Sequence, residues 1–338
     1  LVGRLDKSSG REITSQLQQL EGEIRETQFN ARADAVRLTF ASSLPGETME
    51  ASTRLLQIYG VLGSDDWESR PPFAKLDDSS QRIIAEGITE IMLMALLQMR
   101  DSDAQADAAR LAGRLPRQYR SLPVFDATLG EGTAVERTKK SHGDSFEAHL
   151  QGMVAFHAKR FEDAHAWFDR SETWRERTNP PRFWTSFWHA RACEELDRIG
   201  QAIALYGTCI GQRPGFSWPR YNLARLLAGD SQLDSAMQYV ESAIQVDQRF
   251  APAHVLKSAI LVKQGHYRDA VAACQDAAGL ADPSVDLYKN LAAAHVGLND
   301  LERAHEDLVQ ARRLAPDDQE VESDLARIKE LLERADRR

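Results

Sequence analysis

An alanine recurs at a near-constant interval through the second half of this chain, each time three residues after an aromatic or aliphatic side chain: Phe161/Ala164, Ile199/Ala202, Leu233/Ala236, Tyr267/Ala270 and Leu301/Ala304. Subtracting successive alanines gives 38, 34, 34 and 34 residues. The same period holds elsewhere. Twelve residues before each alanine stands a small residue (Gly152, Ala190, Ala224, Ser258, Ala292), and seven after it another (Ser171, Cys209, Ala243, Ala277, Ala311). A period of this length is that of one supersecondary unit, which cannot bury its apolar side alone and is stable only when stacked on its neighbours. Small side chains at fixed places in such a unit let helix axes approach closely, with bulkier residues filling the space between.

Between these landmarks the apolar residues fall at three- and four-residue spacing, as in Leu223, Leu226 and Leu227, then Met237, Val240 and Ile244. Each unit therefore reads as two helices and a turn. Pro214-Gly215, Asp282-Pro283 and Pro316-Asp317 fall where second helices should end, and Gly265 marks a turn inside the fourth unit. The longer first interval fits an extended linker at Thr178-Asn179-Pro180-Pro181. Residues 319–338 place Val321, Leu325, Ile328 and Leu332 on one face of a charged helix, the expected cap for a stack that would otherwise expose its last apolar side. The predicted architecture is all-α: a helical N-terminal region with linker over residues 1–144, five helix pairs over 145–317 and a capping helix over 318–338.

That register resembles the tetratricopeptide-repeat (TPR) family, whose α-solenoids bind proteins or peptides. The usual early Trp of the motif is missing, and so is Pro at the ends of the first and third units. In the family the first helix of each unit lines a concave groove. The resemblance implies groove positions at Trp184, Phe187, Trp188 and Arg191 in the second unit, at Trp218, Tyr221, Asn222 and Arg225 in the third, and at Lys289 and Asn290 in the fifth. Aromatic and Arg side chains are the types enriched at interface anchors. Trp188 and Tyr221 read equally well as core, whereas Arg191 and Arg225 read as groove, because an unpaired Arg is rarely buried. The first unit offers His149 and Met153 at the corresponding places, so a clamp for a peptide carboxylate is incomplete and an extended, partly apolar peptide is the expected ligand.

The N-terminal region is less regular. Ile13, Leu17, Leu20 and Ile24 suggest a helix over residues 11–30 with a narrow seam, either a short coiled coil or a helix packed on its own domain. Further helices are expected over 46–59 and 79–99, the latter turning Ile83, Ile84, Ile88, Ile91, Met92 and Ala95 inward, with a degenerate repeat near 79–115. Residues 116–143 read as a loop or linker. Leu38-Thr39-Phe40, Leu56 to Leu62, Asp65-Asp66-Trp67 and Arg182 to Trp188 together resemble the C-terminal extension of planctomycete-type bacterial serine/threonine kinases. This implies a helical linker and TPR units attached to an upstream kinase, a signalling role, and, since the sequence opens on Leu1, a longer parent chain.

Composition closes off other classes. A net charge of −9 lacks the basic footprint that nucleic-acid binding needs. The apolar run at Ile91–Leu97 is too short for a bilayer. Cys193, Cys209 and Cys274 stand where small apolar residues belong and read as buried free thiols, which points to a reducing, cytoplasmic setting. No cofactor motif, G-x-S-x-G elbow or kinase signature set is present. His266-Tyr267-Arg268-Asp269 echoes a catalytic loop, but Cys274 stands at the metal-binding Asn position and the phrase falls at a repeat turn. His149, His157 and His165 recur every eight residues, which turns each side chain about 80° from the last on a helix, so they read as surface or groove histidines and no metal site is expected. The chain is expected to be a non-enzymatic scaffold for a protein or peptide partner, with self-association through its edges as the alternative.

Overall fold

The computed structural model describes residues 23–38, 40, 45–98, 111–120, 122, 124–125, 144–174 and 182–336. Among these residues there is no strand, and consecutive helices pack in a solenoid-like succession of pairs. The chain forms two compact units, Leu1–Asn179 and Pro180–Arg338.

The first unit contains α1 (residues 23–38), α2 (Pro45–Leu56), α3 (Asp78–Gln98), α4 (Ser145–His157) and α5 (Phe161–Trp174). Its core opens on an aromatic chain. Phe29 of α1 meets Tyr59 at 5.6 Å, Tyr59 meets Phe73 at 6.2 Å, and Phe73 meets Trp67 at 4.8 Å, all edge-on. The Trp67 indole donates to the Arg114 carbonyl at 2.8 Å, satisfying its one polar atom. Burial pushes the Tyr59 phenol up to about 12. Between α1, α3 and α4 lies a charged junction. Arg37 donates to Glu90 Oε2 from Nη2 at 2.6 Å and from Nε at 3.0 Å, and His149 Nε2 lies 3.4 Å from Oε1 of the same carboxylate. All three side chains are buried. Burial alone would raise the Glu90 carboxyl, but Arg37 and His149 outweigh it and hold Glu90 at about 2.

Several expectations for this region change. The first helix runs on to residue 38 and buries Phe29, Ala33 and Val36 on its own unit, while Ile24 of the expected seam is exposed. Residues 11–22 lie outside the described residues. In α3, Ile83 is 48% exposed rather than turned inward, because the buried stripe runs through Ile84, Ile88 and Ile91. Of the expected linker, Arg117–Tyr119 form a 3₁₀ turn whose Tyr119 packs on Phe146 at 5.1 Å, and Val124 and Phe125 are buried. Residues 126–143, the middle of the expected degenerate repeat at 99–110 and the linker at 178–181 lie outside the described residues. His149, expected at a surface or groove, is 2% exposed beside Glu90, and Met153 is buried with it. His157 stacks on Phe40 at 5.3 Å.

The second unit contains α6 (Phe183–Glu195), α7 (Ile199–Gln212), α8 (Trp218–Gly229), α9 (Leu233–Val246), α10 (Ala251–Lys263), α11 (Tyr267–Ala278), α12 (Val285–Gly297), α13 (Leu301–Leu314) and α14 (Gln319–Asp336). Each first helix packs on its own second helix, and each second helix on the next first helix. Every small residue of the repeat register in both units is buried, from Gly152 and Ala164 to Ala304 and Ala311. Gly152 shows why. A Cβ there would stand 2.4 Å from the buried Phe168 ring of α5, so only glycine lets α4 and α5 close. The cap behaves as its pattern predicts: Val321, Leu325 and Ile328 of α14 join Leu308 and Ala311 of α13 in one core cluster. Asp318 caps α14 by accepting from the Glu320 and Val321 amides at 2.9 and 3.2 Å.

The turns inside the pairs obey the same period. Lys159, Asp197, Ser231, Gly265 and Asn299, each five residues before the register alanine, hold φ between +56° and +80°. The next amide in each turn, from Arg160, Arg198, Gln232, His266 and Asp300, donates to a carbonyl five residues back at 2.8–2.9 Å. This is the Schellman closure of a helix C-terminus, whose left-handed residue is usually glycine. Here one of the five is.

Candidate functional site

The first-helix face of the second unit gathers a polar cluster. Glu194 of α6 accepts from the Tyr206 hydroxyl of α7 through Oε1 and from the Arg225 guanidinium of α8 through Oε2. Tyr221, one turn before Arg225 on α8, is half-buried and feels the charges of Arg225, Asp286, Glu194 and Arg191. Burial raises the Tyr221 phenol, and burial together with Glu194 raises Tyr206 further. Three first helices, α6, α8 and α12, thus bring two guanidinium groups, two carboxylates and a phenol into one electrostatic neighbourhood. The set is balanced in charge and offers both donors and acceptors. A ligand carboxylate entering at Arg225 would meet a guanidinium already neutralised by Glu194, so the geometry does not make a free-cation clamp.

The expected groove residues divide. Trp184, Phe187 and Trp188 are buried, the last two at 1% exposure, which corrects the placement of Trp184 and Phe187 as open groove and puts Trp188 on the core side of its two readings. Phe187 packs edge-on to Trp184 at 5.3 Å and to Tyr206 at 5.8 Å, and Trp184 meets Phe216 at 5.9 Å. Aromatic area at helical spacing has gone into the joints between successive helices of this unit, where it removes apolar surface from water. Trp218 and Tyr221 are partly exposed and share an edge-on cluster with Phe250 at 5.0 and 5.7 Å. Asn222 is 5% exposed. Arg191 is half-buried, and the Arg225 side chain is 43% exposed.

In the fifth unit both predicted residues are engaged within the chain. Asn290 donates to the Val255 carbonyl at 3.0 Å and to Ser258 Oγ at 2.9 Å, clamping α12 to α10. Lys289 is ion-paired with Glu320 of the cap. Sequence reasoning missed Glu194, Tyr206 and Asp286. A signal for the first existed: Glu194 precedes Arg225 by 31 residues, and Lys289 precedes Glu320 by the same 31. That offset, one repeat less three residues, brings a side chain on one first helix opposite the next helix one turn back.

Free thiols at Cys193, Cys209 and Cys274 are all buried. No helix among the described residues is long and apolar enough to cross a membrane. No protein-family model matches the chain, and no curated protein matches it. Solved structures do. Yeast Tom70 matches over 98% of this chain and 76% of its own, at 12% identity and a TM-score of 0.51. Cut9–Hcn1, a hetero-tetramer of the APC/C, matches over 88% of this chain and 69% of its own, at 15% identity and a TM-score of 0.51. TTC0263, a TPR protein of Thermus thermophilus, matches over 54% of this chain and 98% of its own, at 20% identity and a TM-score of 0.44. Tom70 and Cut9 are TPR proteins, and the chain has the fold they share, an all-helical succession of TPR-type helix pairs.

Proposed function

We propose that the second unit is a protein-binding scaffold that takes an extended partner segment along the first-helix face of α6, α8 and α12. The observation that carries this reading is the partly exposed Arg225, ion-paired with Glu194 of α6 and one turn from Tyr221 on α8, whose phenol also feels the charges of Arg191 and Asp286. Such a mixture suits a peptide backbone with alternating polar and apolar side chains. Charge balance favours a neutral or mixed segment over one that ends in a bare carboxylate. The loose resemblance to the C-terminal regions of planctomycete-type kinases supports a narrower reading, in which the scaffold belongs to a larger signalling protein and raises a partner's local concentration there. The bound peptide is the part open to direct test. The full chain is screened against an immobilised peptide array, beside the double variant Arg191→Glu/Arg225→Glu and the variant Tyr221→Ala. Loss of the captured peptides at unchanged oligomeric mass is the expected result. Unchanged capture removes the site assignment, and a change of mass in the double variant favours self-association instead.

A further inference from the structure

A second surface of the same unit lies away from this site. Between the second helices α9 and α11, with α10 as its floor, opens a cleft of about 690 Å³. Its floor and walls are apolar at Leu261, Met237, Ile244 and the pair Ala272 and Ala273. Its rim is acidic. Glu241 on α9 faces Lys257 at 3.1 Å and is neutralised by it. Asp269 and Asp276 on α11 are exposed and make no ion pair or side-chain hydrogen bond among the described residues. Three carboxylates against one lysine leave the rim two charges negative with the histidines neutral.

We infer that this cleft docks an amphipathic helix of a partner protein, with an aliphatic stripe over Leu261 and the two alanines and basic side chains against Asp269 and Asp276. The spacing supports the choice. Asp269 and Asp276 are seven residues apart on one helix, about 10 Å along its axis. A partner helix laid alongside α11 presents its own i and i+7 side chains at that distance and on one face. The small Ala272 and Ala273 between the two acids let its backbone come close, and larger side chains find Met237 and Ile244 on the opposite wall. Charge complementarity selects Lys or Arg over Glu or Asp at the flanking positions.

The test uses the full chain and two labelled helical peptides of about 18 residues, long enough to form a helix when docked. Both carry the same leucine stripe; one has Arg pairs at i and i+7, the other Glu at those places. Fluorescence anisotropy at about 50 mM salt should show the Arg peptide binding at least about tenfold more tightly than the Glu peptide, with the gap closing as salt rises. Asp269→Asn/Asp276→Asn, whose fold is checked by far-ultraviolet circular dichroism, should weaken the Arg peptide about tenfold, and Arg225→Glu should leave it unchanged. Equal binding of the two peptides, no binding of either, or loss through Arg225→Glu alone overturns the inference. Loss of array capture at the first-helix site with this binding intact would overturn only the proposed function.

Discussion

In the first unit three helices meet on a charge: Arg37 from α1, Glu90 from α3 and His149 from α4 share one buried carboxylate. In the second unit the equivalent meeting points are methyl groups, Ala202, Ala236, Ala270 and Ala304, each wholly buried. The contrast is one of geometry. Where every interface repeats, a small residue at a fixed place serves each joint, and close packing comes with no desolvated charge. Where helices of different length and approach converge once, a guanidinium can span the gap and fix direction through two hydrogen bonds. That solution is brittle, since a buried ion pair is costly to break and contributes little beyond its own satisfaction.

Three experiments bear on this contrast. The largest effect is expected from Glu90→Gln, which leaves the buried Arg37 with only Asp34, at 3.2 Å, of its two carboxylate partners and should lower the stability of the first unit by about 3 kcal/mol. Denaturant unfolding should show the loss there and not in the second unit. The pH dependence has a definite sign. Glu90 is held at about 2 against an ordinary 4.5, so its contribution is complete above 4.5 and is lost as pH falls from 4.5 toward 2. Glu90→Gln should flatten the acid limb of the first unit's stability curve, and an unchanged limb would show that the junction is not the acid-sensitive element.

A middle effect is expected from Asn290→Ala, about 1–2 kcal/mol, because it removes two hydrogen bonds between α12 and α10. If thermal melting is unmoved while partner capture falls, Asn290 is a ligand contact rather than a clamp. The smallest is Gly265→Ala, roughly 1 kcal/mol, since φ is +80° there and a Cβ meets open space but a strained backbone. A cost much larger than this in urea melts would mean that the turn is constrained by more than its own dihedral.

Much of the second unit could be read from its residues. Helix pairs, joints and cap follow from the recurrence of Ala202, Ala236, Ala270 and Ala304 and from the stripe of Val321, Leu325 and Ile328, because each repeat faces the same neighbour. The left-handed turns could not. Residue type reveals only Gly265, whereas Asp197, Ser231 and Asn299 adopt the same conformation because the packed helices on either side require it. In the first unit the aromatic core was hidden because Phe29, Tyr59, Trp67 and Phe73 share no period. Arg225 and Tyr221 keep the exposure that their groove reading requires, whereas Phe187, read as groove, and Trp188, read equally as core, are both buried, since an aromatic on a first helix fits a groove or a joint equally well until the neighbouring helix is placed. Glu194 was passed over because its role is to neutralise Arg225, and a pairing across repeats shows only when offsets between units are counted.

The period of the second unit has a consequence for how such a chain can change length. From Asp197 to Asn299 the turn, the buried alanine and the Schellman hydrogen bond all advance together by whole units. Excising 34 residues anywhere in that span joins surfaces that already fit, and a duplicated block fits just as well. Excising 33 swings every later helix by about 100° and presents charged side chains where methyl groups are required. The unit thus grows or shrinks by whole repeats, and α14, fitted to the α12–α13 pair, must stay directly behind it.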